Sequence, residues 1–248
     1  LESVVNQAKE ADLYVIGRLV IFQDPVAAKA LPDMAVWDDA VNGPLNTNNQ
    51  YFLDPTDPAA REYALGLAIE SCEAGVDEVQ FDYGRFPDRR PETSQFDGGV
   101  SAEVRVTTIT NFLHEAVATL HPMGCAVAAD IFGFVTTATD DGGIGQQWEE
   151  VTAAVDVVSP MIYPSHYGPG WFGFDNPNDH PADVVRMALE DAVERMSRNV
   201  VIRPWLQDFG YDVDGVRSQI EIAETFDMGW MLWNAKSVVT VEALDTAE

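Results

Sequence analysis

The sequence predicts an α/β fold, a parallel sheet closed as a TIM-type (β/α)8 barrel. Three observations lead there. Apolar, β-branched runs alternate with segments of helical periodicity along the whole chain. The competing architecture, a doubly wound sheet, usually carries a glycine-rich first turn, yet neither GxGxxG after the first run nor GxxxxGK[ST] anywhere is present. Each predicted strand also ends in polar or aromatic residues, as the C-terminal rim of a barrel requires.

The first strand is 13–22, LYVIGRLVIF, rich in β-branched residues and bounded by polar ones. Residues 58–74 have apolar positions at helical spacing and stop before Gly75, a natural residue beyond a helix end. The second strand is 76–83. A helix over 101–120 opens on Ser101 and closes before Pro122 and Gly124. Then follow a strand at 125–132, a helix at 144–154 and a strand at 157–163. The next helix, 181–196, has proline in its first turn. A strand at 200–206, a helix at 213–228 ending at Gly229, and a strand at 230–234 complete the series. Helices on the outer face explain why these strands read as nearly continuous apolar runs. No composition break divides the 248 residues, so residues 1–248 read as one domain.

Composition excludes several functions. The net charge is −27, and Lys9, Lys29 and Lys236 are the only lysines. Such a surface repels nucleic acid and anionic membranes. It fits a merely soluble protein or one made for salty surroundings. No apolar run approaches the ~20 residues that span a bilayer, so membrane insertion is not expected. The first residues show no signal-peptide pattern, which leaves open an export leader already removed. Cys72 and Cys125 match no zinc motif. Two separate core thiols are the favoured reading, with one disulfide open if they meet in space.

The strand ends carry the chemistry. They read IFQDP with Asp24, QFDYGRFP with Asp82 and Arg85, and AADIFGF with Asp130. Then come MIYPSHY with Tyr163, Ser165 and His166, RPWLQDF with Trp205, Gln207 and Asp208, and MLWNA with Trp233 and Asn234. One polar strand end is an ordinary loop residue; six in succession predict a shared pocket. Carboxylates, aromatics, amides and arginine together suit a sugar, whose C–H faces stack on rings while its hydroxyls bond to amides and carboxylates. Cleaving a glycosidic bond takes two carboxyl groups. Asp82 and Asp130 lie on consecutive strands, with Gln80 beside Asp82 and Ala128 beside Asp130 by period-two alternation. Structural alternatives stand beside these roles: an Asp82–Arg85 ion pair, Asp208 as a loop cap, and His166 as a hydrogen-bonded loop residue. No HxH, HExxH, EF-hand or GxSxG pattern occurs, so no metal site and no cofactor is expected, and Asp140 and Asp141 are only weak Ca²⁺ candidates.

The segments FDYGRFP (81–87), ADIFGF (129–134), IGQ (144–146), SPMIYPSHY (159–167), RPWLQDF (203–209) and GWMLWNA (229–235), with GRLVIFQDP (17–25) before them, resemble the glycoside hydrolase domain family DUF4015. The resemblance runs over nearly the whole chain. It implies a TIM-type barrel related to glycosidases of the α-amylase kind. In that family a further βαβ portion normally precedes the strand at 13–22. The resemblance therefore implies a barrel without its first two strands, and a physical protein longer than these residues or completed by another chain. Asp82, Asp130 and Asp208 would then end barrel strands four, five and seven, which carry the carboxylate trio in amylase-like barrels. The departure is Asp130, where that pattern has glutamate.

The resulting expectation is a glycoside hydrolase acting on a poly- or oligosaccharide, with retention of configuration. Asp82 would be the nucleophile, held ionised by Arg85, Asp130 the general acid/base, and Asp208 a third carboxylate orienting hydroxyls. Arg18, Gln80, Arg85, Tyr163, His166, Trp205, Gln207, Trp233 and Asn234 would bind sugar. An inactive carbohydrate-binding or cell-envelope barrel is the alternative; a metal-dependent deacetylase lacks histidine ligands. The setting would be extracellular or the cell envelope, or else the cytoplasm of a salt-adapted organism. Both cysteines are placed at the bottom rim, away from the chemistry.

Overall fold

The structure is a computed structural model that describes residues 1–196 and 198–244. The alternation read from the sequence builds six barrel strands: β1 (Ile16–Val20), β2 (Glu78–Asp82), β3 (Ala126–Phe132), β4 (Val157–Ile162), β5 (Trp205–Gln207) and β6 (Met231–Trp233). They pair in chain order and all in parallel. A doubly wound sheet would reverse its order part-way. A flat sheet would also hold β1 and β6 about 24 Å apart, at about 4.8 Å per strand. Instead the Arg18 guanidinium of β1 lies 4.8 Å from the Trp233 ring centroid of β6. Gln80 Nε2 of β2 likewise reaches Met231 Sδ of β6 at 3.8 Å. The sheet therefore curls into a partial (β/α) barrel.

Besides a single turn at Ala27–Ala30, the helices are α1 (Glu2–Glu10), α2 (Pro58–Glu73), α3 (Ala102–Leu120), α4 (Trp148–Ala154), α5 (Pro181–Glu194) and α6 (Val213–Thr225). Local chemistry sets their ends. Asp57, Ser101 and Asp212 accept backbone N–H bonds at the starts of α2, α3 and α6. Gly75 follows α2 at φ +96°, a conformation that favours glycine. Period two then divides β2. Val79 and Phe81 face outward, and Phe81 meets Phe112 of α3 edge-on at 5.2 Å. Glu78, Gln80 and Asp82 face the barrel interior, all buried.

Those three polar residues build layers up the barrel. At the bottom, Glu78 pairs with Arg203 and accepts from Tyr14 Oη at 3.2 Å. In the middle, Gln80 donates to Ser159 Oγ at 3.2 Å. At the top stands Asp82. Glu78 and Gln80 thus have partners farther round the barrel, and Asp82 has Arg18 on the adjoining strand β1, which offsets the cost of their desolvation.

Some boundaries differ from expectation. The strand expected at 200–206 breaks in two: Val201–Ile202 pairs with β4 only, and β5 begins after Pro204, which has no N–H for the ladder. The helix expected from 144 starts at Trp148, because Gly145 takes φ +84°. The sequence predicts no strand or helix between 26 and 57. Two-residue antiparallel strands lie there, Trp37–Asp38 against Gly43–Pro44 and Asn46–Thr47 against Gln50–Tyr51, and Trp37–Asp38 pairs on its other side with Ser94–Gln95 from beyond β2. Such pieces are too short for periodicity to reveal. The last hairpin turns on Asn48 and Asn49, both at positive φ.

The cysteines are a correction. Cys72 and Cys125 form a disulfide rather than two separate core thiols. Cys72 lies in the last turn of α2 and Cys125 just before β3, so both sit at the bottom of the barrel beside the start of β2. A cross-link over 53 residues of sequence removes about 4 kcal/mol of unfolded-chain entropy in the loop-closure account. Replacing both cysteines by serine is expected to lower unfolding free energy by about 2–4 kcal/mol, read by urea titration. Coincident titrations of the two proteins would show that the bond adds nothing.

Candidate active site

The C-terminal ends of the strands surround a cavity of about 640 Å³, a size that suits a small ligand or part of a chain. Asp82 and Asp130 are on its wall, both 2 % exposed. Phe81 pairs with Ala129 in the β2–β3 register, so Asp82 and Asp130 are the next cross-strand neighbours.

The two carboxyl groups have different surroundings. Asp82 forms an ion pair and a hydrogen bond with Arg18 Nη2, and Asp82 Oδ1 accepts from Tyr83 N at 2.7 Å. Asp130 Oδ1 accepts from Trp205 Nε1 at 2.8 Å, while Asp130 Oδ2 has no hydrogen-bond donor among the described residues. Arg18 Nε is 3.6 Å from that oxygen. Burial, then the Asp82 charge, push the Asp130 carboxyl well above the usual carboxylate range. One guanidinium thus stands between the carboxylate it pairs with and a second, buried carboxyl group that burial disposes to keep its proton.

Aromatic rings form the walls. Trp205 and Trp233 meet edge-on at 5.8 Å, and Tyr163 packs against His166 and Phe209. Burial, then Asp130 and Asp82, raise the Tyr163 phenol. Burial lowers the His166 imidazole, which favours its neutral form. Tyr83 follows Asp82 at φ +54°. This is a costly conformation for an aromatic residue, of the kind that gathers at functional sites. It turns the chain sharply off the end of β2 and sets the Tyr83 ring 4.9 Å from the Arg85 guanidinium.

Of the residues predicted from sequence, the fold brings Arg18, Asp82, Arg85, Asp130, Tyr163, His166, Trp205 and Trp233 to this cavity. It does not bring Gln80, Gln207, Asp208 or Asn234. Gln80 lies in the layer below. Gln207 accepts from the Ser165 amide and hydroxyl at 3.1 and 2.9 Å, holding the loop that carries His166. Both Asp208 carboxyl oxygens accept from Thr240, one from its amide and one from its hydroxyl, and Asn234 donates to the Asp208 carbonyl. Asp208 fastens the chain after β6, the loop-capping alternative read from the sequence. Arg85 is a second correction: it pairs with Asp88, and Arg18 takes the place beside Asp82. Two residues separate Asp82 from Arg85, and the turn at Tyr83 carries Arg85 away, whereas Arg18 is two strand positions short of Val20, the register partner of Asp82. Asp141 is spent on Arg105, through bonds of 2.6 and 2.7 Å.

The chain matches, over residues 1–238, the family DUF4015, described as "putative glycosyl hydrolase domain". The chain belongs to this family. None of the curated proteins matches it. Among solved structures, the glycoside hydrolase domain of PgaB (BpsB) from Bordetella bronchiseptica superposes with a TM-score of 0.67 at 13 % identity, covering 94 % of this chain and 74 % of that one. The glycoside hydrolase domain of PelA from Pseudomonas aeruginosa gives 0.60 at 13 %, covering 93 % and 82 %. The spore cortex-lytic enzyme SleL of Bacillus megaterium QM B1551 gives 0.58 at 12 %, covering 98 % of this chain but only 61 % of its own. At such identities the likeness is one of fold, and the fold is that of glycoside hydrolase barrels. No helix among the described residues is long and apolar enough to cross a membrane.

In this DUF4015 chain the sequence reading missed Tyr83, Asp88, Arg89, Phe132, Phe134, Gln146, Met161, Tyr167 and Trp171 on the cavity wall. Gln146 had a signal, the IGQ segment. Its amide accepts from Phe132 N at 2.9 Å and donates to the Gly84 and Asp130 carbonyls, stitching the ends of β2 and β3 together. Tyr167 and Trp171 lie on a loop beyond β4, where no periodicity points inward.

Proposed function

We propose that this chain is a glycosidase that hydrolyses an O-glycosyl bond of a poly- or oligosaccharide through Asp82 and Asp130. The observation that carries the reading is the pair itself: neighbouring carboxyl groups at a barrel rim, one ion-paired and one a buried acid with an open oxygen. Asp130, as the acid, gives its proton to the glycosidic oxygen as the C–O bond breaks. Asp82 attacks the anomeric carbon, and Arg18 steadies its charge until attack. Asp130, now a carboxylate, takes a proton from water, which displaces Asp82 and releases the sugar. Retention follows where the two groups stand about 5–5.5 Å apart, and in-register neighbours on strands about 4.8 Å apart suit that spacing. Trp205, Trp233 and Tyr163 supply ring faces for the sugar.

The family description supports hydrolysis of a glycan. Neighbours such as a spore cortex-lytic enzyme support an extracellular or cell-envelope polysaccharide as the substrate. The Cys72–Cys125 disulfide supports an oxidising compartment. The test is a screen for reducing ends released from envelope and extracellular polysaccharides. Release is expected from at least one. Sugar binding with no release from any would put the inactive carbohydrate-binding barrel ahead.

A further inference from the structure

We infer that the glycan held in this cavity is acidic, a carboxylate-bearing sugar gripped by Arg85 and Arg89. The inference rests on the proposed glycosidase reading only in placing a sugar in the cavity.

Arg85 is 4 % exposed. Its hydrogen bonds use Nη1 alone, to the Phe86 carbonyl at 3.0 Å and Asp88 Oδ1 at 3.1 Å. Among the described residues, Nε and Nη2 have no acceptor. These two N–H groups form the parallel edge that grips a carboxylate with two bonds. The protein uses that edge elsewhere. Arg105 holds Asp141 through Nε and Nη2 at 2.6 and 2.7 Å, and Arg195 holds Glu149 through the same pair, both at 2.9 Å. In Arg85 the edge is empty, and the residue lines the cavity. Neither nitrogen is among the fully buried side-chain atoms that lack a partner, so a residue 4 % exposed overall turns these donors toward the open cavity, where a ligand can reach them. The rings of Phe132 and Tyr83, 4.6 and 4.9 Å from its centre, fix the plane.

Arg89 adds a second charge at the same wall. Its side chain is 81 % exposed, and its ion-pair contact is a long 3.9 Å to Asp88. Local charge agrees. The chain carries −27 overall, yet its cavity wall holds Arg18, Arg85 and Arg89 against the ion-paired Asp82 and Asp88, with Asp130 favoured as the neutral acid. An acidic surface repels an anionic ligand, so arginines gathered at one cavity need a local reason. A carboxylate on the sugar supplies it.

The experiment compares the three members of each oligosaccharide set by calorimetry: the uronic acid, its carboxyl-reduced alcohol and a sulfated counterpart. The acid is expected to bind about tenfold or more tightly than the alcohol, the worth of a charge-assisted bond. Arg85→Lys keeps the charge but lacks the fork, and is expected to shrink that preference severalfold. Arg89→Ala, at an exposed position that leaves folding intact, should shrink it as well. Equal or tighter binding of the alcohol overturns the inference, and so does tighter binding of the sulfate or failure of every acid to bind. Hydrolysis is scored separately. Acid-selective binding without cleavage leaves this inference standing and removes the glycosidase reading. Cleavage of alcohol and acid at equal affinity does the reverse.

Discussion

Asp82→Asn is expected to lower turnover by about 10³-fold or more, the scale on which a nucleophile's removal is felt. Sugar affinity should stay within about threefold, because the amide keeps the shape of the side chain. Tyr83 N donates to Oδ1 and Arg18 Nη2 to Oδ2, so the amide oxygen keeps one of these bonds while its NH2 faces the other donor, and the backbone pairing of β2 with β1 is untouched. The fold at the end of β2 should therefore survive, and a thermal melt checks this. The variant carries a second signature. After burial, the Asp82 charge is the next largest cause raising the Asp130 carboxyl. Removing that charge should bring the Asp130 pKa down. Any residual activity that needs protonated Asp130 should then fade at lower pH than in the wild type. Turnover close to wild type would take Asp82 out of the chemistry and leave a binding barrel as the better reading.

The sequence made the strands and their shared rim legible because both follow from local pattern. A parallel barrel buries its strands on two faces, so each reads as an apolar run, and a polar residue closing such a run is conspicuous. Asp82 and Asp130 were visible for that reason. The errors came where position depends on chain direction after the strand ends. Arg85 looked like the partner of Asp82 because they are three apart in sequence, but Tyr83 in a left-handed conformation turns Arg85 toward Asp88, and the two residues meet the same cavity without pairing. Arg18, distant in sequence, is adjacent in space because β1 and β2 pair in register. Asp208 matched the family's strand-end spacing, yet Thr240 takes both its oxygens, and nothing in residues 203–209 announces that contact. The disulfide was equally hidden. Two cysteines 53 residues apart signal a bond only once the end of α2 and the start of β3 are known to share the barrel floor. The unused edge of Arg85 needs full side-chain geometry, since sequence gives an arginine but not which of its nitrogens are occupied.

Asp130→Ala is expected to cost about 10²–10⁴-fold in kcat with poor leaving groups and little with activated aryl glycosides, which depart without a proton. The high-pH limb of the wild-type profile should disappear in the variant, because that limb reports deprotonation of the acid. A stability measurement tests the same group without substrate, using Asp130→Asn, whose Oδ1 can still accept from Trp205 Nε1. The Asp130 carboxyl is raised in the folded state by burial and then by Asp82. The native state therefore holds this proton more tightly than the unfolded chain does. Below the unfolded pKa, about 3.9, both states are protonated and the group is neutral in either. As pH rises from there to the folded pKa, the unfolded chain gives up its proton first, and folding stability falls. Asparagine cannot ionise, so Asp130→Asn should gain stability relative to the wild type across that window and keep the gain above it. Urea titrations at pH values on either side of the window read the difference directly. Equal kinetic losses on both kinds of leaving group, with a stability difference that does not move with pH, would mean that Asp130 is buried to hold Trp205 in place and not to carry a proton.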